Sequence, residues 1–265
     1  MAQLPYPTVI AAGKGIGELM YRLGGSRRRI ARINVDLCFP DMEPAARGRL
    51  VHASFRELGV SLVEAAMCWW KPRAKLRALR RIEGKEHLDE ALRHGRGVIL
   101  LSGHTTNLEI GASLIALEGP TQAVYKRVKN ELFDAFTRWQ RDKFAAGQVV
   151  ERHDIRGMIR GLRQNLPLWY APDQDFGLKR GVLAPFFGVP AATLTALSSL
   201  TRMSGARVVP FFPRRLPGDA GYLLTLSPAL DNFPSGDDEQ DARRVNHIIE
   251  EHVKLAPEQY IWAHR

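Results

Sequence analysis

The sequence predicts one α/β domain, a mixed sheet flanked by helices, on three observations. Short apolar runs of strand length alternate with segments whose apolar residues recur at helical spacing. One of these junctions, residues 97–111, is a compact strand-turn-helix corner. No internal repeat, low-complexity tract or clear linker divides the 265 residues, which suffice to bury a sizeable core.

Residues 6–23 place Val9, Ile16, Leu19, Met20 and Leu23 at helical spacing, with Arg22, Arg27, Arg28, Arg29 and Arg32 crowded at the C-terminal end. Residues 1–30 therefore read as an amphipathic, basic, membrane-facing N-terminal helix ahead of a main domain at 31–265. Ordinary packing with a solvated basic end is the equal alternative. A stretch closed by Pro40 leads to a helix from Glu43 to Trp70, whose apolar face carries Leu50, Val51, Phe55, Leu58, Leu62 and Val63. A short helix at 88–93 is closed by Gly95.

Beyond the 97–111 corner, residues 122–125 read as a strand. Residues 132–144 read as a helix that packs through Phe133, Phe136, Trp139 and Phe144. Val149-Val150 is a brief strand. Asp154 can cap a helix with Ile155, Met158, Ile159, Leu162 and Leu166 on one face and Arg156, Arg160 and Arg163 on the other. A strand at 168–171 runs into Pro172-Asp-Gln-Asp175. A loop at 185–190 precedes a helix around 194–203, strands at 206–212 and 222–226, and a last helix near 242–255.

Composition narrows the partners. The chain has 38 basic and 28 acidic residues, a net charge of +10, and a pI near 9.9. That favours an anionic partner: nucleic acid, an anionic membrane surface or a phosphorylated substrate. Charge is the only support for a basic nucleic-acid-binding protein, since no recognisable binding motif accompanies it. Cys38 and Cys68 lack metal-ligand spacing and cannot form a disulfide framework, which points to a reducing compartment. No signal peptide or membrane-spanning apolar run is evident. There is no G-x-S-x-G elbow and no P-loop. Gly13-Lys-Gly-Ile-Gly17 lacks dinucleotide-binding spacing, and His87, His94 and His104 are too scattered for a metal site.

The corner carries the chemistry. Val98 to Leu101 has the branching of a buried strand, Ser102-Gly103 breaks it, and His104 and Glu109 stand on either side of a helix start. Thr106-Asn-Leu-Glu109 matches a capping box, in which Glu109 would return to the backbone of the cap. Glu109 would alternatively hold one imidazole nitrogen of His104 and leave the other as a base, and the two readings are compatible.

Gly103-His-Thr-Thr-Asn-Leu-Glu109 resembles the H-x-x-x-x-[DE] box of glycerolipid-type acyltransferases. More specifically, the chain resembles the late acyltransferases of lipid A biosynthesis, the lauroyl/myristoyl transferase family of the lysophospholipid acyltransferase superfamily. Further matches follow in family order. They are Arg28-Arg-Ile-Ala-Arg-Ile-Asn34, Leu37-Cys-Phe-Pro-Asp41, Ile155-Arg-Gly-Met-Ile159, Trp169-Tyr-Ala-Pro-Asp-Gln-Asp175, Pro185-Phe-Phe-Gly-Val-Pro190 with Thr193, and Pro257-Glu-Gln-Tyr-Ile-Trp-Ala-His264.

The resemblance implies a glycerolipid-acyltransferase-like fold. The implied activity is transfer of a fatty acyl chain from acyl carrier protein to a hydroxyl of a lipid A precursor (Kdo-lipid IVA). It implies His104 as general base, Glu109 as its partner, direct attack on the thioester, and no cofactor or metal. Arg141 would bind phosphate or the developing oxyanion. Asp173 would be a site carboxylate or a loop cap, and Arg127 and Asn130 would contact the acceptor. The implied location is the cytoplasmic face of the inner membrane, with no nucleic-acid partner. Relatives carry a hydrophobic segment ahead of this part and a basic tail after it. Attachment of this chain is accordingly expected through the N-terminal helix and basic surface. Another glycolipid or an amino-lipid acceptor would suit the same box.

Overall fold

A computed structural model of the chain describes residues 4–125, 127, 129–145, 149–174, 177, 181–218 and 220–264. Asp175 and the side chains of Phe133 and Phe144, singled out above, lie outside the described residues.

The sheet is built on β2 (Val98–Leu101), whose four residues are all buried. Its order is β1 (Arg80–Glu83), β9 (Tyr222–Leu226), β8 (Arg207–Arg215), β2, β5 (Pro167–Tyr170). β2 runs parallel to β8 and β5, and β1 parallel to β9, while β8 and β9 are antiparallel. The sheet is therefore mixed, as the sequence predicts. Alternate side chains of β2 enter opposite cores: Val98 and Leu100 join one, Ile99 and Leu101 the other. A strand buried on both faces explains why its sequence is continuously apolar rather than alternating.

Around it run α1 (Tyr6–Leu23), α2 (Gly25–Cys38), α3 (Pro44–Trp70), α4 (Arg73–Arg77), α5 (Lys85–Arg93) and α6 (Leu108–Ile115). They are followed by α7 (Glu131–Ala145), α8 (Ile155–Arg163), α9 (Ala196–Ser204) and α10 (Asp238–Leu255). Asp154 caps α8 as expected, accepting from Gly157 N at 2.8 Å. β3 (Ala123–Tyr125) and β4 (Val149–Glu151) form a separate parallel pair, bridged to β5 through Gln122 and Leu168. The expected loop at 185–190 is instead the tip of a hairpin, β6 (Gly181–Phe186) with β7 (Val189–Leu194). Its two turn residues, Phe187 and Gly188, have φ of 50° and 75°, the left-handed conformation a tight hairpin turn requires.

The N-terminal helix is spent on packing. Tyr6, Val9 and Ile10 are buried in the core with Val60 and Val63 of α3. Gly13 and Gly17 let α1 lie directly on α3 at Gly59. The apolar face expected to be available to lipid is thus largely covered, although Leu19 and Leu23 stay exposed. The expected boundary at residue 30 falls inside α2, which Gly24 separates from α1. A Cβ on Gly59 would overlap the backbone of Gly17 and Gly13. Gly59→Ala is therefore expected to destabilise the protein by ~1–3 kcal/mol, read as a lower urea midpoint. An unchanged midpoint would show that the helices are not held this close.

Candidate active site

Strand register builds the site. β2 and β5 are parallel neighbours with Leu101 opposite Tyr170. The chain leaves both strands at the same sheet edge, so residues three beyond each end, His104 and Asp173, come together. His104 Nδ1 lies 2.6 Å from Asp173 Oδ1, and the His104 backbone N–H donates to Asp173 Oδ2 at 2.7 Å. Tyr260 donates its hydroxyl to the same Oδ2 at 2.8 Å. The Asp173 side chain is 2% exposed and that of His104 22%. A side chain at position 103 would crowd Ile249 and approach Asp173, which is why glycine precedes the histidine.

The C-terminal segment locks this loop. Thr106 N donates to Gln259 O at 2.7 Å, Ile261 N donates to His104 O at 3.1 Å, and Thr105 bridges Tyr260. The Gln259 side chain accepts from Asn107 Nδ2 and pairs with both backbone groups of Arg215 on β8. The His264 ring stands edge-on to His104, with centroids 5.9 Å apart.

Burial pulls the His104 pKa down, but the charge and hydrogen bond of Asp173 together outweigh it, and the net shift is upward from 6.5. Burial likewise opposes ionisation of Asp173. His104 and the donors on its two oxygens nevertheless hold its pKa below 3.8. The resulting pair is a carboxylate with a basic imidazole. With Nδ1 committed to Asp173, Nε2 is the nitrogen left to take a proton.

Two expectations for Glu109 are corrected. It does not close a capping box: α6 starts after Asn107 without a side-chain cap, and the Thr106 N–H already bonds Gln259 O. Nor is it the carboxylate on the His104 ring, since register brings Asp173 there. Glu109 instead pairs with Arg141 NH2 across from α7, and Arg141 NH1 donates to Val124 O at 3.4 Å. His104, Glu109 and Arg141 all face one cavity of about 740 Å³. Its wall is largely apolar, with Trp69, Leu100, Ile115, Met158 and Trp169. That volume suits a small-molecule or chain-like ligand. Arg127 and Asn130 are exposed, and neither is among the described residues lining the cavity.

Tyr260, which donates to Asp173, is the residue of this site that the sequence did not single out, although it lies in the matching segment 257–264. The available signal for the His104–Asp173 pairing was positional: each follows an apolar strand by the same short interval.

A hydrogen-bonded imidazole and carboxylate beside a largely apolar cavity is what activating a hydroxyl near a hydrocarbon chain requires. The model of the bacterial lipid A biosynthesis acyltransferases matches residues 1–265. The chain belongs to that family and is an acyltransferase. It is 37% identical to the lipid A biosynthesis lauroyltransferase of Escherichia coli K12 over 266 residues, covering 100% of this chain and 87% of that one. It is 36% identical to the palmitoleoyltransferase of the same strain, covering 99% of this chain and 86% of the relative. Identity to that strain's myristoyltransferase is 32%, over 93% of this chain and 77% of the relative. Among the described residues, no helix is long and apolar enough to cross a membrane.

Proposed function

We propose that the enzyme moves a fatty acyl chain from the thioester of acyl carrier protein to a hydroxyl of an anionic lipid A precursor such as Kdo-lipid IVA. The reaction would take place at the cytoplasmic face of the inner membrane. The observation that carries this reading is the His104 imidazole, oriented by Asp173, at the wall of the 740 Å³ apolar cavity. His104 Nε2 takes the proton of the acceptor hydroxyl as its oxygen attacks the thioester carbonyl carbon. Collapse of the tetrahedral intermediate breaks the C–S bond, and the leaving thiolate recovers the proton from Nε2. No acyl-enzyme forms. Asp173 steadies the imidazolium charge that develops between the two steps.

Arg141 and Arg152 both line the cavity, and we assign Arg141, the one paired with Glu109, to the oxyanion or to an acceptor phosphate. Glu109 acts in this scheme by orienting the Arg141 guanidinium rather than by touching His104. The apolar wall holds the acyl chain, each buried methylene contributing ~0.8 kcal/mol. The net charge of +10 draws in both an acidic carrier protein and an anionic lipid.

The test is to offer acyl carrier protein and coenzyme A thioesters of several chain lengths with a lipid A precursor and a panel of other glycolipids and amino-lipids. Products are read by mass. Expected is one ester-linked acyl addition to the lipid A precursor with the carrier-protein donor. Transfer to a different acceptor alone would replace the acceptor assignment, and transfer from coenzyme A alone would replace the donor.

A further inference from the structure

We infer that the aromatic rim formed by Trp70 of α3 with Phe136 and Trp139 of α7 docks on an anionic lipid surface. In that pose it delivers the acceptor to the cavity mouth. The inference rests on the lipid-acceptor reading above.

The rim is built rather than scattered. Trp69 and Trp70 contact each other edge-on at 5.5 Å between centroids, and Phe136 meets both, at 5.3 and 6.1 Å. Trp139 continues the row at 6.2 Å from Phe136. Trp70 and Trp139 are each 56% exposed and Leu132 is 84% exposed. Leu132, Phe136, Trp139 and Lys143 follow one another at helical i, i+4, i+7, i+11 spacing and so share one face of α7. Half-exposed tryptophans cost apolar hydration in water, and their amphipathic rings are at home at the headgroup level of a bilayer.

Its place in the molecule ties the rim to the chemistry. Trp69 lines the cavity from inside while its neighbour Trp70 faces out. The end of α3 touches the site through Cys68 Sγ, which contacts Glu109 O at 3.7 Å. α7 touches it through Arg141, paired with Glu109. The rim thus borders the same Glu109–Arg141 pair that lines the cavity.

Charge selects the occupant. Lys71, Arg73, Lys75 and Arg77 follow Trp70 directly, and Arg73 and Lys75 are exposed. Lys143 sits over the Trp139 ring, its Nζ 3.5 Å from the centroid. α7 also carries Glu131, Asp134 and Asp142, so the positive excess comes from the α4 side of the rim. A cationic margin around exposed aromatic and leucine side chains matches anionic headgroups over acyl chains. An acidic carrier protein would need the cations but not the bare rings.

The experiment uses vesicles of phosphatidylethanolamine with phosphatidylglycerol, without acyl donor or acceptor, so it reads docking independently of acyl transfer. Vesicles brominated on their acyl chains are expected to quench and blue-shift the tryptophan emission of the wild-type protein. The double variant Trp70→Ser/Trp139→Ser is expected to bind the vesicles at least about tenfold more weakly, with an unchanged circular dichroism spectrum. Leu19→Ser/Leu23→Ser, which removes the exposed leucines of α1, is expected to leave binding within about twofold by the same burial argument. Absence of quenching in the wild type would overturn the proposal. So would loss of binding only in the α1 variant, or a rim variant that keeps vesicle binding but loses acyl carrier protein.

Discussion

Asp173→Asn is expected to lower kcat/KM for acyl transfer by ~10²–10⁴ while leaving the protein folded. An amide can still accept from Tyr260 and from the His104 backbone N–H. It carries no charge, however, to stabilise the imidazolium that forms when Nε2 takes the acceptor proton. The variant should also move the acid limb of the rate profile. In the wild type, Asp173 raises the His104 pKa above 6.5 despite burial, so the neutral, basic imidazole becomes available only above that pH. Without the carboxylate, burial alone remains and pulls the limb below 6.5. A limb that stays in place would mean that another group sets it.

The same pair makes stability depend on pH in a defined window. The raised His104 pKa contributes stability that is complete below 6.5 and lost as pH rises through the folded value. The depressed Asp173 pKa contributes stability present above 3.8 and lost as pH falls through its folded value. The gap in unfolding free energy between wild type and Asp173→Asn should therefore be widest between those limits and narrow on either side.

Arg215→Met is expected to be the more damaging change to the fold, at ~3–5 kcal/mol in urea unfolding. Arg215 lies at the end of β8 and is 5% exposed. It pairs with Glu57 and with Glu64, whose side chain is 1% exposed. Tyr222 adds a hydrogen bond to Glu64 Oε1 at 2.6 Å. Burial already pushes the Glu64 pKa up to about 8 in the intact protein, and removing the guanidinium leaves the Glu57 and Glu64 carboxyl groups without that donor. Adding Glu64→Gln keeps an acceptor for Tyr222 and removes one stranded carboxyl group, so the double variant should recover much of the loss. If the double variant is no more stable than Arg215→Met, the cost is lost packing of the long side chain rather than a carboxyl group left without its donor.

The strands that pack on both faces were legible because burial dictates their composition. Val98–Leu101 and Tyr222–Leu226 need apolar residues at nearly every position. Three elements were hidden by residues that contradict local propensity. β1 is Arg-Arg-Ile-Glu at the sheet edge, where alternate charged side chains reach solvent. α2 is dense in arginine, so its packing residues Ala31 and Val35 are few. The β6–β7 hairpin contains Pro185 opposite Pro190, tolerated because the ribbon has only two strands and a proline needs no partner at an edge.

The site followed the same division. His104, Glu109 and Asp173 were recoverable from motif and order, since each is near a strand end or helix start, whereas Arg141, late in α7, was recoverable only from the family resemblance. Which carboxylate meets the imidazole was marked in the sequence only by position, because the register of β2 on β5 decides it. Glu109 is close to His104 in sequence but begins a helix, and its side chain is drawn to Arg141. Asp173 is 69 residues from His104 in the chain and becomes its hydrogen-bond partner.

Single-turnover transfer by His104→Ala across pH asks whether His104 is the base of the acyl transfer. The variant is expected to be folded, to bind the acyl donor, to transfer ~10²–10⁴-fold more slowly, and to have lost the acid limb present in the wild type. A wild-type rate, or an acid limb that persists in the variant, would contradict it.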